Sequence, residues 1–220
     1  MSPVVSKYGS SLIVTAVIPA YFEETTIGSV VMATMQYVDE VLVIDDGSSD
    51  NTYGVAKEAG ARVLRHQENK GVLEAIKTGF AEAYGDIIVT LDADGQHHPA
   101  EIPALIKPII DDEADIVIGV RPNFPYFSEK ALTILTNLKV EIDDASSGFR
   151  AIKKEFAQKM HLHGSCLCGT FILEGFRRNA RIKGVQITVR DREDKRRIQT
   201  KHFKQFFIVI WDLIRFTKIN

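Results

Sequence analysis

Cysteine is nearly absent: Cys166 and Cys168 are the only two in 220 residues. Two positions apart, they cannot staple a chain of this length. A disulfide framework is therefore excluded, and a reducing, cytoplasmic setting is expected. Also missing is any apolar run near the ~18 residues that a membrane-spanning helix needs, so nothing is expected to cross a bilayer unaided. The first ten residues lack a basic-then-apolar leader pattern. Charge of one sign is not in excess either. The 27 Lys and Arg stand against 29 Asp and Glu, a net charge of −2, which argues against a nucleic-acid binder driven by a global basic field. What is present is ordinary globular composition, 45% hydrophobic and 25% charged, without repeats or low-complexity linkers. The length suits one domain with a short appendage.

Short apolar runs alternate with helical patterns. Leu12 to Ile18, Val41 to Asp45, Ala61 to Leu64 and Asp86 to Leu91 read as four strands. Their unbroken Val/Ile/Leu character fits strands covered on both faces. Between them, helices are expected at Ile27 to Met35 with Thr25 as N-cap, at Asn51 to Ala59 closed by Gly60, and at Gly71 to Tyr84. In the last, Val72, Ile76, Phe80 and Tyr84 form a stripe at helical spacing. Strands alternating with helices imply an α/β fold with a mainly parallel, Rossmann-like sheet flanked by helices. A helix at Pro99 to Ile110 and a strand at Asp115 to Val120 continue the pattern. Beyond lie a helix near Ser128 to Leu138, a strand near Phe149, a helix near Phe171 to Ala180 and a strand at Val185 to Val189. The expected organisation is a flexible tail over 1–10, a main domain over 11–200 and an amphipathic C-terminal helix over 201–220.

In open α/β sheets ligands bind beyond the carboxyl ends of the strands, and the unusual residues sit there. These ends read P-A-Y-F-E-E (19–24), D-D-G-S-S-D (45–50), H-Q-E-N-K-G (66–71) and D-A-D-G-Q-H (92–97). One acidic turn is readily a solvated loop; four on one sheet edge suggest a site. Asp92 and Asp94, two apart just past a buried strand, can converge on a hard divalent cation such as Mg²⁺, with Gln96 adding a carbonyl oxygen. Such a cation would neutralise a diphosphate leaving group. Asp45-Asp46 alone also suits a receiver domain, but there the acidic pair follows the first strand, whereas here a strand and a helix precede it. No G-x-G-x-x-G follows the first strand and no P-loop is present, which disfavours dinucleotide binding and P-loop chemistry.

V-I-P-A-Y-F-E-E-T-T-I-G, V-I-D-D-G-S-S-D-N-T, N-K-G and L-D-A-D-G-Q-H-H-P-A-E-I occur in that order, and S-S-G-F-R-A follows at 146–151. With these motifs the chain resembles family 2 glycosyltransferases of GT-A fold, in the branch of dolichyl-phosphate mannosyltransferases and polyprenyl-phosphate glucosyltransferases. The resemblance spans about Ile13 to Arg192. It implies that Pro19, Ala20, Tyr21 and Glu23 contact the nucleoside, with Asp46 on the base and Lys70 also on the donor. It implies that Asp92, Ala93 and Asp94 meet the diphosphate, and that Asp92, Asp94 and Gln96 hold Mg²⁺ or Mn²⁺. Arg121 matches a phosphate-facing arginine. Ser147 and Arg150 lie in the acceptor-side loop just after Asp144, Lys130 stands where a second basic residue is expected, and Asp191-Arg192 precedes a basic loop over the donor. The chain departs from the family in Phe22, where the family has Asn, in E-D-K-R-R (193–197) after the D-R, where it has G-x-S-K, and in a short segment between Arg121 and Ser147.

The implied activity is transfer of a sugar, with inversion, from a nucleotide-diphosphate sugar to a polyprenyl or dolichyl phosphate at the cytoplasmic face of a membrane. A lipid phosphate is already anionic and needs no general base; Arg121, Arg150 and Arg192 would grip it, since a guanidinium binds phosphate bidentately. A sugar or protein hydroxyl acceptor would need a base, for which Asp144 is the candidate. A non-catalytic nucleotide-sugar-binding protein is the third reading. Partners are thus the donor, the lipid and a membrane surface or membrane-anchored protein, with no nucleic acid. Cys166 and Cys168 lie near His161 and His163 without a standard zinc spacing and read as small buried residues. His97 and His98 read as shaping the turn. In the C-terminal segment Phe203, Phe206, Phe207, Ile210, Leu213 and Ile214 fall on one helical face, with Lys204, Asp212, Arg215 and Lys218 off it. That segment, with Trp211, reads either as a packed final helix or as an interfacial membrane helix.

Overall fold

A computed structural model of the chain describes residue 8 and residues 12–123, 127–164, 167–190 and 201–215. Its strands are β1 (Val14–Ala20), β2 (Glu40–Asp45), β3 (Arg62–Arg65), β4 (Ile87–Thr90), β5 (Ile116–Val120), β6 (Arg150–Lys153) and β7 (Ile182–Gln186). The helices are α1 (Ile27–Thr34), α2 (Thr52–Glu58), α3 (Val72–Glu82), α4 (Ile102–Ile110), α5 (Phe127–Thr136), α6 (Lys154–Ala157), α7 (Thr170–Arg177) and α8 (Lys201–Arg215). A 3₁₀ turn, Pro99–Glu101, leads into α4.

The strands form one sheet in the order β3-β2-β1-β4-β6-β5-β7. Four of its pairings are parallel; β6 alone runs antiparallel, to β4 and to β5. Successive side chains point to opposite faces, so each apolar strand feeds two cores. Val14, Ala16, Ile18, Val41, Val43, Ile87 and Val89 pack with α1 and α4 on one face. Val17, Leu42, Ile44, Ile88, Ile116 and Ile118 pack with α3 and α7 on the other. Burial on both faces is the reason these runs do not alternate with polar residues. Gly79 of α3 permits the close approach to β1: a Cβ there would lie 2.2 Å from Val17 Cγ1.

Several boundaries differ from the sequence reading. β1 runs two residues later than Leu12–Ile18. Thr26, not Thr25, precedes α1, and its hydroxyl bonds Glu23 Oε2 at 2.9 Å instead of capping the helix. β7 lies at 182–186 instead of 185–189, because its backbone pairs in parallel with β5 from Ile116↔Ile182 to Val120↔Gln186. Of the expected tail, Tyr8 is described. It is half-buried, donates to the Tyr37 carbonyl and packs against the first core. Burial and the carboxylate of Asp39 push its phenol up to about 12.

The C-terminal helix α8 packs by a mixed face. Among its described side chains Gln205, Val209 and Asp212 are buried, while Phe207, Trp211 and Ile214 are exposed. Phe207 and Ile214, both on the expected apolar face, point outward, and a mixed face of Gln205, Val209 and Asp212 packs inward. Polar partners hold that inward face: Gln205 Nε2 donates to the Cys168 carbonyl at 3.0 Å, and His163 Nε2 lies 2.9 Å from Asp212 Oδ1. Val209 fills the space between these contacts, against Leu132, Cys168 and Leu173. The expected roles of Phe203, Lys204, Phe206, Arg215 and Lys218 fall on side chains outside the description, as does Cys166. Cys168 is buried, as expected.

Candidate active site

The carboxyl ends of β1, β2 and β4 meet at the sheet's centre, where β1 and β4 are neighbours and the chain passes from one half of the sheet to the other. Such a reversal point leaves a crevice. Because β6 is antiparallel to β4, with Thr90 opposite Arg150, the loop before β6 opens onto the same edge. So do the ends of β5 and β7, both parallel to each other and antiparallel to β6.

The turn after β4 carries Asp92 and Asp94. Both are half-exposed while Ala93 between them is buried, so alternation along the chain sends both carboxylates away from the core. Gln96 N–H donates to Asp94 Oδ1 at 3.1 Å, and Gly95 takes φ +75° to complete the turn. His97 is buried behind it. Its ring stacks on Phe149 with centroids 5.1 Å apart, and Nδ1 accepts the Asp92 N–H at 3.3 Å. Accepting there puts the ring proton on Nε2.

Two other segments press on this turn. Thr90 Oγ1 donates to the Gly148 carbonyl at 2.8 Å, and a Cβ on Gly148 would sit 2.7 and 2.8 Å from the Asp92 carboxylate oxygens. From β7 the chain returns along the turn: His97 bridges Val189, Arg190 N–H donates to the Gln96 carbonyl at 2.9 Å, and Gln96 Nε2 donates to the Arg190 carbonyl at 3.3 Å. Gln96, implied as a metal ligand, thus clips this segment to the turn. Asp191 and Arg192, and the basic residues Lys195, Arg196 and Arg197, lie outside the described residues; the chain is anchored to the turn up to Arg190.

Around β1 and β2, Pro19 is half-buried, Ala20 is buried, and Tyr21 and Phe22 are exposed with their rings edge-on at 4.4 Å. Phe22 takes φ +57°, in the left-handed region. Asn tolerates that region far better than Phe. Phe22 N–H donates to Ser48 Oγ at 3.1 Å and Glu23 N–H to Thr52 Oγ1 at 2.9 Å, lacing the two loops together. Asp46, implied to meet the base, is buried and has another task. Its oxygens accept the N–H groups of Lys70 (2.9 Å) and Gly71 (2.7 Å) and lie 2.7 Å from His66 Nδ1. It therefore ties the 66–71 loop to β2, while the Lys70 residue is exposed. Gly47, at φ +77°, lets the loops touch; a Cβ there would lie 2.7 Å from the Glu68 carbonyl carbon.

The acceptor side differs most from what the resemblance implies. Arg121 is buried, and its Nε and Nη2 donate to Asp144 Oδ2 (2.6 Å) and Oδ1 (3.0 Å). Its Nη2 also lies 2.8 Å from Glu129 Oε2. Burial alone would weaken this guanidinium's charge, but the two carboxylates beside it outweigh that and hold it more firmly protonated than usual. An arginine already clasped by two carboxylates is not a free phosphate ligand. Asp144, fully buried, also accepts the Ser146 and Ser147 N–H groups at 2.9 and 3.1 Å, so it is not placed to act as a base. Ser147 is buried, and its hydroxyl accepts the Phe149 N–H at 3.3 Å. Arg150 is buried with its guanidinium 4.6 Å from the Phe171 ring centroid. Lys130 is exposed on α5. The sequence motifs contain His66, His97 and Gly148 without showing their contacts, and Glu129 lies outside them. His97 was placed in the turn but not behind the Asp92 amide; Glu129 gives no local signal, since its partner Arg121 lies on another segment.

Two half-exposed carboxylates, with no third His, Cys, Asp or Glu completing a cluster among the described residues, fit a hard divalent cation that takes few protein carboxylates and finds its other oxygens on substrate phosphates.

Residues 15–184 match the family described as glycosyl transferase family 2. Over 171 residues the chain is 36% identical to a UDP-N-acetylglucosamine–dolichyl-phosphate N-acetylglucosaminyltransferase of Methanococcus voltae, covering 63% of this chain and 68% of that protein. Over 143 residues it is 36% identical to a dolichol-phosphate mannosyltransferase of Pyrococcus furiosus, covering 56% of this chain and 40% of that longer protein. Its fold superposes on glucosyl-3-phosphoglycerate synthase of Mycobacterium tuberculosis, in complex with Mn²⁺, UDP-glucose and phosphoglyceric acid. The TM-score is 0.78 at 25% identity, covering 92% of this chain and 79% of that one.

Proposed function

The chain belongs to glycosyl transferase family 2, and from that premise we propose that it moves one sugar, with inversion, from a nucleotide-diphosphate sugar to a polyprenyl (dolichyl-type) phosphate. The donor is GDP-mannose, UDP-glucose or UDP-N-acetylglucosamine. The observation that carries this reading is the convergence on one sheet edge of the Asp92–Ala93–Asp94 turn, the 144–149 loop and the 187–190 segment.

In this reading Asp92 and Asp94 would hold Mg²⁺ or Mn²⁺, whose chemistry when bound is to neutralise the departing diphosphate. Pro19, Ala20, Tyr21 and Glu23 border the nucleoside, and Asp46 keeps the loop bearing Lys70 in place beside it. The acceptor phosphate is anionic already, so the attack needs no proton taken from it; the buried setting of Asp144 agrees with that. Charge to meet the lipid phosphate comes from Arg150, Lys130 and the basic stretch that includes Arg192. Arg121 supports these groups from behind. Use of a lipid acceptor also calls for a membrane surface. No helix among the described residues is long and apolar enough to cross one. Instead Phe127, Ile134 and Leu138 of and beside α5, with Phe207, Trp211 and Ile214 of α8, leave apolar side chains exposed on two helices that pack together. Exposed apolar side chains on two packed helices suit shallow insertion at the cytoplasmic leaflet.

The test is to replace Asp92 or Asp94 with Asn and to follow both Mn²⁺-dependent donor binding and sugar transfer to a short polyprenyl phosphate. Both are expected to collapse with the fold intact. Full transfer by both variants would overturn the assignment of the carboxylates.

A further inference from the structure

Arg121, Glu129 and Asp144 come from three segments: the end of β5, the first turns of α5, and the loop before β6. They form one buried cluster of a guanidinium and two carboxylates. Burying such ions is costly, and apolar packing of the same volume is often as stable, so the cluster calls for a reason beyond stability. Its contacts supply one. Asp144 turns one carboxylate toward Arg121 and also receives the Ser146 and Ser147 N–H groups. The next residue, Gly148, lies against the Asp92 carboxylate. Two further bonds hold the same loop to α5 and its C-terminal turn: Ala145 N–H to Thr133 Oγ1 at 3.0 Å and Ile142 N–H to Asn137 Oδ1 at 3.1 Å.

We propose that Asp144 is a positioning residue: held on one side by Arg121 and Glu129, it fixes the 146–148 turn on the other and thereby sets where the Asp92 carboxylate lies. The inference rests on the reading of Asp92 as a metal ligand. It makes α5 part of the support of the donor site, although that helix contributes no ligand. Replacing Asp144 with Asn puts an N–H₂ where the clasp needs an acceptor, so the turn and Asp92 behind it lose their register.

The experiment measures Mn²⁺ affinity of the intact chain by electron paramagnetic resonance, with UDP or GDP present, below each variant's unfolding temperature. Asp144→Asn is expected to weaken Mn²⁺ binding by about tenfold or more, the range found when groups supporting metal ligands are lost. Glu129→Gln, which keeps shape and one acceptor, is expected to weaken it by roughly threefold, below that range. Asp115→Asn is the control. It removes a carboxylate bound by Arg181 and Lys153 at the other end of β5, so it should lower Tm and leave Mn²⁺ affinity unchanged. A folded Asp144→Asn with the parent's affinity, or a loss matched by Asp115→Asn, overturns the inference. Should Asp144→Asn not fold, Glu129→Gln decides, and the parent's affinity in that variant overturns it. A parent that binds neither Mn²⁺–UDP nor Mn²⁺–GDP fails instead at the reading of Asp92 itself, and the inference falls with it.

Discussion

Gly148→Ala separates catalysis from stability at a single methyl group. The added Cβ would stand 2.7 Å from one Asp92 carboxylate oxygen and 2.8 Å from the other, where ordinary contact begins at 3.4 Å. The carboxylate must therefore retreat by about 0.7 Å. Metal–oxygen distances hold to about ±0.2 Å, so a shift of that size is incompatible with undisturbed coordination. Misplacing a reacting group by about 1 Å costs roughly 10²-fold in rate, and a loss approaching that is expected in sugar transfer. Folding should hardly notice. Gly148 has no positive φ, and the group that must move is the free end of a side chain 43% exposed. Fewer unfolded conformations also favour Ala by about 0.4–1 kcal/mol. The assays are a Mn²⁺ titration with donor nucleotide, a transfer rate and a thermal melt. A well-folded variant with the parent's affinity and rate would refute the contact as a determinant of the site. A large drop in Tm would show that the 146–149 loop, not the carboxylate, had yielded.

Replacing Phe207 and Trp211 together with Glu is expected to abolish flotation with anionic vesicles while the unfolding free energy stays within about 1 kcal/mol of the parent, since both side chains are exposed and surface changes are mild; undiminished flotation would place the membrane contact elsewhere. The His163–Asp212 contact should make docking of α8 pH-dependent. The hydrogen bond to Asp212 holds the His163 imidazole above its ordinary 6.5. Its stabilisation is thus complete below 6.5 and fades as pH rises through the raised folded value. Hydrogen exchange of α8 amides should accelerate over that interval, and His163→Gln, which still donates, should flatten the dependence; an unchanged profile in His163→Gln would assign it to another group.

The central fold was legible because parallel strands buried on both faces leave unbroken Val/Ile/Leu runs, and because the acidic, Gly-containing turns fall at their carboxyl ends. β6 was harder to read. Its four residues, Arg150–Lys153, carry two basic side chains, and nothing local announces that the strand reverses direction. Nor does a local pattern join Arg121 to Glu129 and Asp144, so nothing in the sequence shows that the arginine implied as a phosphate ligand is clasped by two carboxylates. α8 was legible as an amphipathic helix, but not which of its faces packs. Periodicity alone does not say which face is inward; here Gln205 and Asp212 find polar partners inside, and Phe207 and Trp211 face outward. The D-A-D turn was visible as a pair of carboxylates, but its support by His97, Gly148 and Arg190 comes from chain segments that only the fold brings together.

The most direct measurement incubates the chain and Mn²⁺ with GDP-mannose, UDP-glucose or UDP-N-acetylglucosamine, each labelled in the sugar, and with a short polyprenyl phosphate. The label entering the organic phase is then counted with and without excess EDTA. Label from one donor is expected to become lipid-soluble, and EDTA is expected to stop it. Label that stays in water with all three donors, or transfer that persists in EDTA, would contradict metal-dependent glycosyl transfer to a lipid phosphate.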